Sequence, residues 1–169
     1  MKLFETDKTE SRQSWIRRVA INFWPCITCS GGRVRFISSD YRELHVSLGL
    51  NLLTRNRVGT IYGGSLYSAI DPYFMLMLIQ ILGKEYVVWD KAASIKFLRP
   101  AKTDLRCRFL LDEELIQFIK TQVEHKGEYS FDLPLKFEDK RGRAFAVFKK
   151  TMYVARKDFY LHKVKQRPK

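Results

Sequence analysis

Apolar side chains at Trp15, Ile16, Val19, Ala20, Phe23 and Trp24 recur at steps of three and four residues, which places them on one stripe of a helix. Asp7-x-x-Glu10 has the spacing of a capping box ahead of that stripe, and Pro25 with Gly31-Gly32 ends it. The period then changes to two. Val34 and Phe36 alternate with Arg33 and Arg35 in residues 33–38, and a second strand follows at 43–50 across the polar turn Ser39-Asp40-Tyr41. After a polar connector, Gly63-Gly64 opens a segment that stays apolar to Leu82 and closes at Gly83-Lys84, a length that predicts one buried helix rather than a strand. Strands are predicted at 86–98 and 105–111, broken at Arg99-Pro100-Ala101. Asp112-Glu113-Glu114 then caps a helix with the stripe Leu115, Phe118, Ile119 and Val123, which Gly127 stops. Two last strands, 129–138 and 143–155, carry Phe131, Leu133, Leu135 and Phe137 on alternate positions of the first.

This order, with its short links, predicts an α+β domain in which a mainly antiparallel sheet covers one long central helix. The helix is apolar around its whole circumference, so a second subunit is expected to help hide it, giving a homodimer or a dimer of dimers. Residues 1–29 form the amino-terminal helical segment, 30–155 the domain, and 156–169 a basic tail.

Composition narrows the function classes. With 169 residues, 12 Phe, 8 Tyr and 3 Trp, the chain can fill one domain's core. Three cysteines do not frame a disulfide scaffold. The single pair Cys26-x-x-Cys29 lacks partners for zinc and closes a helical pattern rather than opening one, so both read as core or turn cysteines, and Cys107 as packing. His45, His125 and His162 have no metal-like spacing, so no metal is expected. No apolar run approaches the ~20 residues of a membrane span, since Asp71 and Gln80 interrupt the nearest. Arg17 and Arg18 precede an apolar stretch, but Glu5, Asp7, Glu10, Asn22 and Pro25 argue against a signal peptide, which leaves a cytoplasmic location as the expectation.

The net charge of +13 is uneven: residues 1–139 carry 20 Lys and Arg against 17 acids, and residues 140–169 carry 11 against 1. The tail, with Arg156, Lys157, Lys163, Lys165, Arg167 and Lys169, is either a solvated terminus or an attractor for nucleic acid or anionic membrane.

Chemistry concentrates between Asn56 and Asp71. A Gly-Gly pair opening a helix leaves backbone N–H groups that no side chain shields, the make-up of an oxyanion hole, and Asp71 further along can act on water or attack a carbonyl. Gly64 and Asp71 are seven residues, or about two helical turns and ~10 Å, apart on one chain. They can act on one carbon only from different subunits across a two-fold axis. The bland alternatives stay open: Asp71-Pro72 as the cap of a second helical segment, Gly63-Gly64 as a tight helix entry, and Asn56 as a turn residue. Asp90 and Lys91 stand in an otherwise apolar strand, facing opposite sides, as paired charges or lining of a cleft.

Asn56, then Tyr62-Gly63-Gly64, then Asp71 nine positions after Tyr62, together with Phe97-Leu98-Arg99-Pro100, resembles the hotdog-fold acyl-CoA thioesterases of the phenylacetic-acid-degradation type. Gly63 to Tyr67, Asp71-Pro72 and residues 88–94 look closer still to a branch of unknown function in that superfamily. The resemblance implies a hotdog fold, a curved antiparallel sheet wrapped around a long helix, with Gly64 as oxyanion donor, Asp71 as base or nucleophile and Asn56 holding the loop or the water. Tyr62 stands where the family has histidine; a phenol of pKa about 10 donates a hydrogen bond but is a poor base. Tyr62, Gly63 and Tyr67 would then contact substrate, with Tyr73 and Phe74 available to the acyl group, and Arg57, Lys96, Arg99 and Lys102 would meet the phosphates of coenzyme A. The implied function is hydrolysis of an acyl thioester of coenzyme A or acyl carrier protein, with no cofactor beyond the substrate's own coenzyme A. A hotdog protein that binds acyl-CoA or lipid without turnover is the alternative.

Overall fold

In the computed structural model, residues 3–166 are described. Helix α1 (Arg12–Phe23) is capped by Ser11, not by the predicted Asp7 box. The Ser11 hydroxyl accepts the Ser14 N–H at 3.1 Å while Ser14 Oγ accepts the Ser11 N–H at 2.9 Å, which satisfies two amides reciprocally. Glu10 is used elsewhere, accepting from Ile37 N–H and gripping Arg18. Pro25 then starts a second short helix, α2 (Pro25–Ser30), since its fixed φ and missing N–H suit a first turn. Gly31 ends it at φ 81°, where a side chain would also collide with Thr54.

Strands β1 (Gly32–Ile37) and β2 (Glu43–Leu48) form the predicted hairpin. The predicted single helix is two, α3 (Gly63–Ser68) and α4 (Tyr73–Leu82), divided at residues 69–72. Pro72 has no N–H to offer and disfavours helical backbone at Asp71 before it, so the break falls where the sequence carries proline. The remaining elements are β3 (Tyr86–Phe97), β4 (Leu105–Leu110), α5 (Glu113–Lys126), β5 (Glu128–Glu138), β6 (Ala144–Arg156) and α6 (Lys157–Lys165). Asp112 caps α5 as expected, accepting the Leu115 N–H at 2.7 Å. Part of the basic tail is therefore a helix held to the sheet: Lys163 Nζ reaches both oxygens of Glu128 at 2.6 and 2.5 Å, while Arg167 and Lys169 lie outside the described residues.

All six strands join one antiparallel sheet in the order β1-β2-β4-β5-β6-β3. Helix α4 supplies the core's centre. Tyr73 and Phe74 meet Phe109 of β4 edge-on, with centroids 5.4 and 4.9 Å apart, and Ile70, Met77 and Leu78 are buried beside them. Residues Gly63–Leu82 are, at mean hydropathy 1.3, long and apolar enough to cross a membrane, contrary to the expectation from Asp71 and Gln80; half of that stretch is buried inside the protein, as a core helix is. The amino-terminal residues lie across the sheet, Leu3 N–H donating to the buried His45 and Thr6 to the buried Glu43.

The stripe on α1 departs from expectation. Trp15, Ile16, Phe23 and Trp24 face solvent, and the helix attaches to β1 through Ser14, Ile21 and Asn22.

Phe109 is fully buried and touches both rings of α4, so Phe109→Ala is expected to cost about 3–5 kcal/mol of stability by chemical denaturation, more than a surface truncation on α5.

Candidate functional site

Alternate residues of β6 line the buried face of the sheet: Phe148, Lys150, Met152 and Val154. Three are apolar, as a half-buried strand requires. The fourth is a lysine, 1% exposed. Burying an ammonium without partners is prohibitively costly, and here it has two. Lys150 Nζ lies 2.5 Å from Asp71 Oδ1 and 3.1 Å from Asp90 Oδ2, and 6.0 Å from the centre of the Tyr67 ring.

Each partner is aimed by a local irregularity. Asp71 sits in the break between α3 and α4, preceding Pro72, so its side chain comes from a turn rather than from a helix flank. Asp90 lies on β3 opposite Met152, and the strand bulges at Lys91, the extra residue before Ala92 meets Thr151. Bulges re-aim side chains, and this one separates Asp90, turned to Lys150, from Lys91, which is exposed and 3.4 Å from Ser130 Oγ.

The three charges divide the labour of the cluster. Burial pushes the Asp90 carboxyl up; the Lys150 ammonium draws it down but does not cancel the rise, and the neighbouring Asp71 adds to it. Burial works against the charge on Lys150, yet Asp71 and Asp90 outweigh it and hold the ammonium above the usual lysine range. One oxygen of Asp90, Oδ1, is buried without a hydrogen-bond partner among the described residues. The Asp71 side chain is 45% exposed, against 22% for Asp90. The arrangement thus presents one carboxylate to solvent, backed by a second that readily takes a proton.

Gly63 and Gly64 open α3 with Tyr62 as its cap residue, which gives no side-chain cap. Leu66 N–H donates to the Tyr62 carbonyl, so the amides before it have no carbonyl within the helix. A side chain at 63 would press on the outer end of the exposed Phe97 ring, and one at 64 on the exposed Tyr62 ring. Beside Gly63 runs a groove of about 490 Å³ lined by Val58, Ile61, Leu66, Phe97 and Arg99. It shares Arg99 and Pro100 with a second hollow of about 460 Å³ that Lys102 and Arg143 also line.

Asp71 and Tyr67 come together at Lys150, Gly63 and Arg99 along the groove, and Lys102 with Arg99 in the second hollow. Arg57 and Lys96 are exposed, the latter on β3. Asn56 is absorbed by its own loop: its Oδ1 accepts from Val58 and Thr60 N–H, and its Nδ2 donates to Thr60 Oγ1 at 2.8 Å. Tyr73 and Phe74, expected near the acyl group, are core residues instead, because the break before α4 turns them onto Phe109. Lys150 was missed; its signal was a lysine in the apolar register of a strand that otherwise reads Phe148, Met152, Val154.

Comparison with known proteins gives this geometry a context. A family model described as a domain of unknown function, DUF4442, matches residues 12–154. Among solved structures, a protein of unknown function and probable thioesterase from Pseudomonas aeruginosa aligns over 88% of this chain and 99% of its own, with TM-score 0.73 and 19% identity. A thioesterase from Haemophilus influenzae aligns over 88% and 93%, with TM-score 0.60 and 12% identity. The E. coli PaaI protein from the phenylacetic acid degradation operon aligns over 88% and 96%, with TM-score 0.58 and 16% identity. No curated protein sequence matches the chain. At these identities the likeness is one of fold, and the fold is the hotdog fold, as the sequence resemblance implied.

The raised Asp90 carboxyl has a consequence for stability. The folded state keeps that proton at pH values where the unfolded chain has released it, so the stabilisation is full below the ordinary aspartate range and is lost as pH rises through the folded value. Measured by urea titration across pH, stability relative to the Asp90→Asn variant is expected to fall over that window.

Proposed function

We propose that this chain, which belongs to the DUF4442 family, is a thioesterase that hydrolyses acyl-CoA thioesters at a site completed between two copies of the chain. The observation that carries the reading is the half-exposed Asp71 held by a buried lysine and backed by the protonatable Asp90. The hotdog structures named above, two of them described as thioesterase or probable thioesterase, support the same reaction class.

In the proposed reaction Asp71 takes a proton from water and the oxygen adds to the thioester carbon, or Asp71 itself adds and water later releases the acyl group. The carbonyl oxygen, now carrying the charge, lies against the amides of Gly63 and Gly64. The carbon–sulfur bond then breaks, the acid leaves, and the coenzyme A thiolate takes up a proton. Asp90, next to Lys150, receives or returns protons between turnovers. Asn56 acts by shaping the loop ahead of Tyr62, and Tyr62 and Tyr67 contact the substrate. Arg57, Lys96, Arg99 and Lys102 are the cations for the nucleotide phosphates; Arg99 and Lys102, which line the hollow continuing the groove, have the best-formed setting. The carrier can equally be acyl carrier protein, whose thioester has the same reacting atoms. Coenzyme A enters as part of the substrate, and the reaction requires no further cofactor.

The second copy is expected at β3. This 12-residue strand ends the sheet, leaves one edge unpaired and exposes Trp89 and Phe97. In the proposed dimer two such edges pair, and Asp71 of one copy acts with the Gly63-Gly64 turn of the other.

Binding without turnover is the second reading, favoured by Tyr62. Its ring packs against Gly64 on the side where a side chain would stand, and it replaces an imidazole with a group that is a poor base.

Thiol release from a panel of acyl-CoA thioesters decides between them. The protein is expected to turn over at least one, with Asp71→Asn slowing it by about 10²-fold or more at unchanged fold; saturable binding without release by the unaltered protein would establish the second reading. Trp89→Lys, which places a charge on the free edge of β3, is expected to yield monomers by sedimentation velocity and to lose turnover with them.

A further inference from the structure

Helix α1 is mounted by its small and polar side. Ser14 and Ile21 are buried against the sheet, and Asn22 pairs with the backbone of Val34, donating through Nδ2 to the carbonyl and accepting the N–H at Oδ1, both at 2.9 Å. The side away from Ser14 and Ile21 carries Ile16 (49% exposed) and Phe23 (77%), Trp15 (49%) flanks it one face round, beside Asn22, and the patch continues into Trp24 (43%). A helix that only covers a core turns its apolar stripe inward, so a stripe of this size turned outward meets something else.

Charge identifies that something. Helix α1 has no acidic residue and three arginines. Arg18 is held by Glu10; Arg17 lies with its guanidinium 5.3 Å from the centre of the Tyr41 ring; Arg12 is exposed at the start of the apolar side. Glu5 and Asp7 are exposed upstream of the helix, within a chain whose net charge is +13. Indole and phenyl rings beside guanidinium groups, without carboxylates among them, form the pattern of helices that lie in the boundary between lipid headgroups and acyl chains.

We propose that α1 docks this protein on the surface of an anionic lipid bilayer, with Trp15, Ile16, Phe23 and Trp24 entering the boundary region and Arg12 and Arg17 meeting lipid phosphates. A second copy on the same face would oppose arginines to arginines, whereas an anionic bilayer complements them. An apolar crevice of about 270 Å³ between α1 and α4, lined by Ala20, Ile21, Trp24, Leu44, Leu76 and Met77, continues the patch inward, which suits contact with acyl chains. The proposal stands independently of the thioesterase reading, since none of these residues belongs to the Asp71 cluster or the groove.

Co-sedimentation of the full chain with phosphatidylcholine vesicles, with and without phosphatidylglycerol, tests it, with circular dichroism and sedimentation velocity as checks on fold and assembly. Binding is expected to the phosphatidylglycerol vesicles, to weaken at raised salt, and to shift the tryptophan emission to the blue. The Trp15→Ser/Phe23→Ser double variant is expected to lose about tenfold or more in affinity, and Arg12→Gln/Arg17→Gln to lose most of the preference for anionic lipid. Absence of vesicle binding would overturn the proposal. So would undiminished binding by the Trp15→Ser/Phe23→Ser variant, which would move the contact to the basic carboxy-terminal helix. A variant that changes only the assembly of the lipid-free protein would instead give the face to a second copy.

Discussion

A lysine buried at the centre of β6 sets conditions that much of the rest of this structure meets. Its ammonium is sustainable only because two carboxylates converge on it from elements far apart in sequence, Asp71 from the break in the central helix and Asp90 from the bulged edge strand. Removing one member of such a cluster leaves an uncompensated charge, which typically costs a few kcal/mol, so the helix break, the bulge and the register of β3 on β6 are mutually dependent. The same dependence shapes the proposed site. Asp71 reaches solvent while its ion-pair partner stays dry, and the second carboxyl holds its proton more tightly than an ordinary aspartate. A wholly apolar cluster at this point would pack at least as well and would offer neither the base nor the proton store of the proposed reaction.

Much of the fold was legible because periodicity reports which residues share a face. The strands fell close to their expected positions, Asp112 and Gly127 bound α5 as read, and the Gly-Gly turn with its downstream acid pointed to the hotdog fold. Periodicity does not report which face meets the sheet. The stripe from Trp15 to Trp24 is real, yet α1 buries Ser14 and Ile21 and is tied to β1 by Asn22, so the stripe is outside. Cap choice was likewise a competition between neighbours: Ser11 and Ser14 satisfy each other's amides, which frees Glu10 for Arg18 and for β1.

The candidate site was half legible for a related reason. Asp71 was visible from its spacing to Gly63-Gly64, and Asp90 as a charge in an apolar run, but their meeting point was not. Lys150 lies 79 residues from Asp71 and meets it only where the break between α3 and α4 packs on the sheet, while the register of β6 against β3 brings Asp90 to the same ammonium. Asp71-Pro72 has the sequence of a cap on a second helical segment; Pro72 does divide the helix there, and Asp71, which makes no cap hydrogen bond to α4, is released from a helical flank. Asn56 shows the opposite case, a residue whose motif position suggests chemistry while its three side-chain hydrogen bonds close its own loop.

The most direct test of this account is the effect of Lys150→Met on the steady-state hydrolysis of an acyl-CoA that the unaltered protein turns over, at matched fold and assembly. Methionine keeps much of the bulk and removes the charge that orients Asp71. The account predicts that kcat falls by about 10²-fold with KM little changed, and an unchanged kcat would contradict it.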